Sequence, residues 1–237
     1  MEPIKCEHGA VKMVAHRGAG KVWVENSLPA FRGAAARSYW GIETDVHVTA
    51  DGKYIITHDD NTQRVTGESY VVEETDFATL RSLRLLGLEG DDARLPTLEE
   101  YYEICKAGDK YAVLELKKRM TEQNIAEIIE IIRSMDWLDR TVFISFSMTN
   151  LETLERLLPG HPKQFLFGDS PRLPMKLEWL DKHPTSIDVD CRALTAEMAE
   201  EAHAKGFDVN VWTINTEEQL RQALSLGVDF ITTDIFE

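Results

Sequence analysis

Short apolar, β-branched runs alternate with amphipathic segments along almost the whole chain, and that alternation leaves few architectures open. The strand candidates are Val11–Ala15, Ile42–Val48, Tyr111–Leu116, Thr141–Ser145, Gln164–Phe167, Ser186–Val189, Asp208–Thr213 and Val228–Thr232. Between two of them, Ile125, Ile128, Ile129 and Ile132 keep the i, i+3, i+4, i+7 spacing of a one-sided helix. Thr97/Glu100, Thr149/Glu152 and Thr216/Gln219 each set a threonine three residues before Glu or Gln, the signature of a capping box. Eight such strands in 237 residues fit an α/β chain folded as a (β/α)8 TIM barrel. A doubly wound open sheet reads much the same way.

The order breaks once. After the turn Asp51-Gly52, Tyr54–Thr57 reads as a short extra strand, and polar residues then lead to a helical stretch at Asp76–Leu86. Residues 60–95 or so are therefore expected to form a small insertion after the second strand region. No linker, low-complexity stretch or fixed-period repeat interrupts the rest, so residues 1–237 are expected to form one domain. Little chain follows the last strand, so the helix that would cover the final seam is expected to be short or missing.

Composition narrows the partners. With 41 Asp+Glu against 26 Lys+Arg, the net charge of -15 argues against nucleic acid and against anionic membranes. It does not forbid a small anionic substrate, because a metal or a few local bases can invert the potential of one site. Cys6, Cys105 and Cys191 are far apart with no CxxC, which fits neither a disulfide framework nor a zinc site. The first residues lack a secretion signal, and no run approaches the roughly 20 apolar residues of a membrane span. A cytoplasmic protein without stable membrane association is expected, as a monomer or homodimer acting on a small molecule.

Barrel enzymes carry their catalytic groups at the C-terminal ends of the strands. There the chain places His16-Arg17-Gly18, then Glu43 and Asp45, then His58-Asp59 after the extra strand, then Glu115-Leu116-Lys117, and later Trp212. Alternation puts Glu43 and Asp45 on one face of a strand, about 7 Å apart along it. Two inward anions are costly alone, and a hard divalent cation with Glu115 as third oxygen ligand would resolve that cost. His16 and His58 come from different strand ends and suit an acid/base pair for displacement at phosphorus, with Arg17 holding phosphate oxygens. Lys117 shares the face of Glu115 and either touches phosphate or neutralises the acids. Trp212 packs at the rim or lines the pocket. His47 ranks below the other histidines, and Asp188 and Asp190 repeat an x-D-x-D pattern with no histidine near them. Cys191 reads as packing and Glu197–Glu201 as a solvated helix face.

These segments together resemble the glycerophosphodiester phosphodiesterase family. The resemblance rests on HRGAGKVWVENSLPAF at His16–Phe31 and GIETDVHVTADGKYIITHDD at Gly41–Asp60. It continues through LPTLEE, LELK, ISF and VNVWTINTEEQL as far as Thr233-Asp234. It implies a (β/α)8 barrel with a small insertion after the HD motif. It also implies Mg²⁺ or Ca²⁺ on Glu43, Asp45 and Glu115, with His16 and His58 as acid and base and Arg17 on the phosphate. Lys117 would be a further phosphate or carboxylate partner, and Trp212 would pack on glycerol. The implied reaction releases glycerol 3-phosphate and an alcohol. A phosphoinositide-type phospholipase C or a non-catalytic phosphoglycerol-binding barrel are the other readings; a secreted sphingomyelinase-D-type toxin fits the unpaired cysteines less well.

Overall fold

The structure, a computed structural model, describes residues 2–168 and 182–237. Its strands are β1 (Lys12–Ala15), β2 (Gly41–Val48), β3 (Tyr54–Ile56), β4 (Tyr111–Leu116), β5 (Thr141–Ser145), β6 (Lys163–Phe167), β7 (Ser186–Asp190), β8 (Val209–Trp212) and β9 (Phe230–Thr233). All but β3 join through parallel ladders, and β1 pairs with both β9 and β2, which closes the ring. An open sheet leaves two edge strands paired on one side only; here the order β1-β9-β8-β7-β6-β5-β4-β2 returns to β1, and the closed ring is a (β/α)8 barrel. Among the described residues the helices are α1 (Leu28–Ala35), α2 (Gln63–Thr66), α3 (Phe77–Ser82), α4 (Leu98–Ala107), α5 (Glu122–Ser134), α6 (Met148–Leu157), α7 (Ala196–Ala204) and α8 (Glu217–Ser225).

The extra strand β3 lies outside the ring, antiparallel to the end of β2 in the register Val46–Ile56, His47–Ile55 and Val48–Tyr54. Gly52 turns the chain between them at a φ of 74°, a conformation that glycine adopts without penalty. The excursion then carries α2 and α3 before Ile55 bridges back to Thr97. Its own small core, built from Ile55, Val72, Leu80, Leu83, Leu85 and Leu95, anchors it against the barrel rim.

Helix starts follow local chemistry. Thr97 and Thr216 form the expected capping boxes with Glu100 and Gln219. The third expectation fails: α6 begins two residues earlier, capped by Ser147, whose hydroxyl accepts from the Asn150 N–H, so Thr149 lies inside the helix. Serine is at least as good a cap as threonine, and it stands two residues nearer the strand end. A further box, Thr121 with Asn124, starts α5. Ile125, Ile128, Ile129 and Ile132, the stripe of α5, are all buried.

Parallel strands covered on both faces need apolar residues on both. Inward side chains of Val14, Val113, Val142, Ile144, Leu166 and Phe230 fill the barrel, while the larger cluster lies between the outer face and the helices. No helix follows β9 among the described residues. Instead the N–H of Ile4 donates to the Ile235 carbonyl (2.7 Å), that of Cys6 to the Glu237 carbonyl (2.9 Å), and Phe236 is buried. The last seam is thus closed by strand pairing and this short contact. No described helix is long and apolar enough to cross a membrane.

Tyr101 ties α4 to the barrel. Its hydroxyl donates to the Ile42 carbonyl at 2.7 Å, and its ring meets Phe31 edge-on at 5.1 Å. Tyr101→Phe keeps the ring and removes the bond, so thermal unfolding is expected to fall by roughly 2–4 °C for a loss of about 1 kcal/mol. Calorimetry checks it; an unchanged midpoint would assign the anchoring to the ring alone.

Candidate active site

Parallel pairing brings three acids together. β2 turns Glu43 and Asp45 inward, and β4 beside it sets Glu115 level with Asp45. One carboxylate oxygen of each lies within 4.8 Å of the others, and all three residues are buried. Burial, then repulsion by Asp45, pushes the Glu43 carboxyl well above its usual range; the same two causes push Glu115 up to about 7. Burial acts on Asp45 as well, but Lys117 and Arg17 outweigh it and hold that carboxyl well below its range. Three buried hard-oxygen donors with excess negative charge fit Mg²⁺ or Ca²⁺ by their chemistry. Lys117 reaches them from two residues further along, its Nζ 2.9 Å from Glu115 Oε1 and 3.3 Å from Asp45 Oδ1. Lys117 is thus ion-paired with two of the three acids.

Immediately after β1 the chain makes a tight turn at His16-Arg17-Gly18, with Arg17 at φ 50° and Gly18 at φ 76°. A Cβ on Gly18 would sit 2.9 Å from the Ala30 carbonyl carbon, so the turn requires glycine there. The turn aims the Arg17 N–H at Glu43 Oε2, 2.8 Å away. The Arg17 side chain donates from Nη1 to Glu25 Oε1 at 3.0 Å and lays Nε 3.6 Å from Asp45 Oδ2. Asn26, also buried, donates to Asp45 Oδ2 and accepts from the Thr44 hydroxyl, both at 2.8 Å.

Each histidine leans on a carboxylate. His16 Nδ1 is 2.7 Å from Asp234 Oδ1, and Asn215 Nδ2 donates to the other oxygen of Asp234 at 2.7 Å. His58 Nδ1 is 2.7 Å from Asp59 Oδ1. Arg64 of α2 grips Asp59 from Nε at 2.6 Å and from Nη2 at 3.1 Å, and donates to both oxygens of Glu25 at 2.7 and 3.0 Å. One guanidinium of the excursion thus braces the partners of both His58 and Arg17. Its bonds, first among the causes, hold the Asp59 carboxyl down at about 2. Burial lowers His58 below its ordinary value; Asp45 opposes this and Lys117 adds to it.

These groups open onto a cavity of about 90 Å³. His16, Arg17, Glu43, His58 and Glu115 line one side, and Ile144, Phe146, Leu166 and Trp212 the other. The rings of Phe146 and Trp212 meet edge-on at 5.8 Å. A larger groove of about 640 Å³ runs between Tyr54, Phe77 and α5, but it carries none of these groups. The titratable groups gather at the smaller cavity.

His16, Arg17, Glu43, His58, Glu115 and Trp212, expected together from strand ends, do line one cavity, with Asp45 and Lys117 packed against its acids. His47 does not join them: it is buried with Nε2 3.3 Å from the His58 carbonyl. Asp188, ranked low for want of a nearby histidine, lines the cavity, because inward alternation on a closed barrel needs no sequence neighbour. Asp190 turns instead to Arg192, 2.6 Å away. Cys191 packs half-buried on the core, and Glu197, Glu200 and Glu201 are exposed, both as expected. Sequence reasoning passed over Asp59, Asp234, Asn26, Glu25 and Arg64. Asp59, Glu25, Asn26 and Asp234 stand inside the segments that carry the resemblance, but only the fold brings Asp234, and Arg64 with it, to the site.

The model of the Glycerophosphoryl diester phosphodiesterase family matches residues 16–237. A glycerophosphodiester phosphodiesterase from Caldanaerobacter subterraneus subsp. tengcongensis is 28% identical, over 94% of this chain and 93% of that one. A glycerophosphodiester phosphodiesterase from Parabacteroides distasonis superposes with a TM-score of 0.78 at 26% identity, covering 99% of this chain and 94% of its own. A phosphodiesterase from Oleispira antarctica, solved with the product sn-glycerol-3-phosphate, reaches a TM-score of 0.85 at 25% identity over 94% and 92% of the two chains. With eight parallel strands closed, two carboxylate-backed histidines beside a buried acid cluster, and a family match over most of its length, this chain belongs to the glycerophosphoryl diester phosphodiesterase family and is an enzyme of that class.

Proposed function

We propose that the chain, acting as one catalytic domain, hydrolyses small glycerophosphodiesters to glycerol 3-phosphate and an alcohol by two-histidine acid/base catalysis. The observation that carries the proposal is the pairing of His16 with Asp234 and His58 with Asp59 around a cavity that also holds Glu43 and Glu115. The product bound by the Oleispira antarctica enzyme is the one this reaction releases. Glu43, Asp45 and Glu115 would hold a divalent cation, Mg²⁺ or Ca²⁺, which when bound draws charge from the phosphoryl oxygens.

The chain's own groups do the rest. Arg17, held between Glu25 and Asp45, presents a rigid guanidinium to the phosphate. Lys117 keeps the acid cluster from repelling the substrate, and Trp212 with Phe146 forms the apolar wall on which a carbon chain rests. Anchoring of each Nδ1 on a carboxylate leaves Nε2 of each histidine as the nitrogen that exchanges protons. One imidazole takes the proton of the nucleophile and the other gives a proton to the departing alkoxide. The nucleophile is water or the glycerol 2-hydroxyl; a trapped cyclic phosphate identifies the latter. Catalysis in the cytoplasm, by a monomer or homodimer and without nucleic acid, completes the proposal.

A panel of glycerophosphodiesters assayed for glycerol 3-phosphate release, with each metal and with chelator, tests it. Turnover of none of them would sink the assignment.

Arg64 gives a second measurement. Arg64→Met leaves Asp59 and Glu25 without their shared partner at a half-exposed site, so stability should change little. kcat is expected to fall about tenfold with a smaller change in KM. The pH–kcat profile should also move to higher pH, because an unneutralised Asp59 favours the protonated His58 imidazole. Unaltered kcat and profile would remove Arg64 from the account.

A further inference from the structure

Asp188 stands level with Leu166 on β6 and Asn210 on β8, directed into the barrel where the cavity ends. It is 1% exposed, and its Oδ1 is buried without a hydrogen-bond partner among the described residues. The polar groups around it are satisfied elsewhere: Asn210 Nδ2 donates to Gln164 Oε1 at 2.9 Å, and the Thr232 hydroxyl donates to Asn210 Oδ1 at 3.2 Å. Its other neighbours on this wall, Ile144, Leu166 and Trp212, are apolar. An unpaired carboxyl in such surroundings is costly unless a ligand or ordered water completes its bonds.

Resting on the function proposed above, we infer that Asp188 is the group that reads the substrate's three-carbon end, by hydrogen bonding to its hydroxyls. The phosphate belongs with Arg17 and the acid cluster on the opposite wall, so the carbon chain bound to that phosphate must extend along the apolar wall toward Asp188. A cavity of about 90 Å³ holds the volume of roughly three waters. It therefore takes the small end common to all glycerophosphodiesters, and the variable alcohol lies toward solvent. Burial first, and Glu115 second, hold the Asp188 carboxyl well above its usual range. A neutral carboxylic acid both donates and accepts, and so does a hydroxyl.

The test compares sn-glycerol 3-phosphate with n-propyl phosphate, which has the same carbon chain and no hydroxyls, by calorimetric titration of the full chain with Mg²⁺. The unaltered protein is expected to prefer glycerol 3-phosphate. Asp188→Leu should cut that preference by about 10- to 100-fold. Asp188→Asn, which still donates and accepts, should keep most of it; circular dichroism establishes that both variants fold. A preference that survives Asp188→Leu overturns the inference, as does a native protein without preference. Phosphocholine, titrated alongside, carries an ammonium group and no glycerol; an equal loss in both variants confined to it overturns the inference in favour of charge recognition. A native chain that prefers glycerol 3-phosphate yet hydrolyses no glycerophosphodiester would instead overturn the proposed reaction and leave this reading of Asp188 standing.

Discussion

His16→Ala and His58→Ala are each expected to lower kcat on glycerophosphocholine by about 10²–10⁴, with KM changed only a few-fold. Neither ring carries the fold: both are partly exposed, and Asp234 and Asp59 keep Asn215 and Arg64 as partners when the imidazole is gone. Loss of rate without loss of unfolding temperature is therefore the signature sought. A nitrophenyl ester of glycerol phosphate separates the two roles, since its leaving group departs without needing a proton. The variant lacking the acid should recover most of its rate on that ester, whereas the variant lacking the base should not. Near-native turnover by either variant on the natural diester would refute the two-histidine scheme. Asp234→Ala should fall between, lowering kcat through a loosened His16 ring and moving its pH profile.

What the sequence disclosed depended on distance along the chain. The strands were legible because each is a short β-branched run, but their alternation with helices fits an open doubly wound sheet as well, and it is the pairing of β1 with both β9 and β2 that closes the ring. The acid cluster was legible too: Glu43 and Asp45 share a face by period two, and parallel pairing makes the end of β4 the natural source of Glu115. Ser147 hid behind a better-looking Thr149 because a T-x-x-E pattern says nothing about where the strand before it ends. Asp234 lies 218 residues from His16, and only the meeting of β9 with β1 at the seam brings them together. Arg64 reaches the site because the excursion folds back over the barrel mouth on its own apolar core, which no local pattern in its polar residues announces. Asp188 was undervalued for a different reason. An x-D-x-D pair with no histidine near it in sequence carries no sign of which of its faces is inward until the ring is closed.

Glu43→Gln should abolish activity while making the metal-free protein more stable. Glu43 is 3% exposed, and its nearest basic side chain is His16, with Nε2 4.0 Å from Oε2. Lys117 serves the other two acids of the cluster. Glutamine keeps the shape and can still accept the Arg17 N–H, but removes a charge whose burial is opposed by desolvation and by Asp45. A carboxyl raised in the folded state costs nothing while it is protonated in both states. The penalty appears above the ordinary glutamate pKa and grows as pH rises toward the folded value. In chelator, the variant should therefore match the native protein near pH 4 and exceed it at pH 8 by about 1–3 kcal/mol. That corresponds to roughly 2–4 °C per kcal/mol in unfolding temperature. Added Mg²⁺ or Ca²⁺ should reverse the order, since a ligand at 100 times its Kd contributes about 2.7 kcal/mol to a protein that binds it. The variant, short of one ligand, gains less. This crossing is what separates a metal ligand from a buried acid of merely structural use. Equal shifts of both proteins on adding metal, at every pH, would take Glu43 out of the binding site. The same result would move the source of the cation's affinity to Asp45 and Glu115 alone.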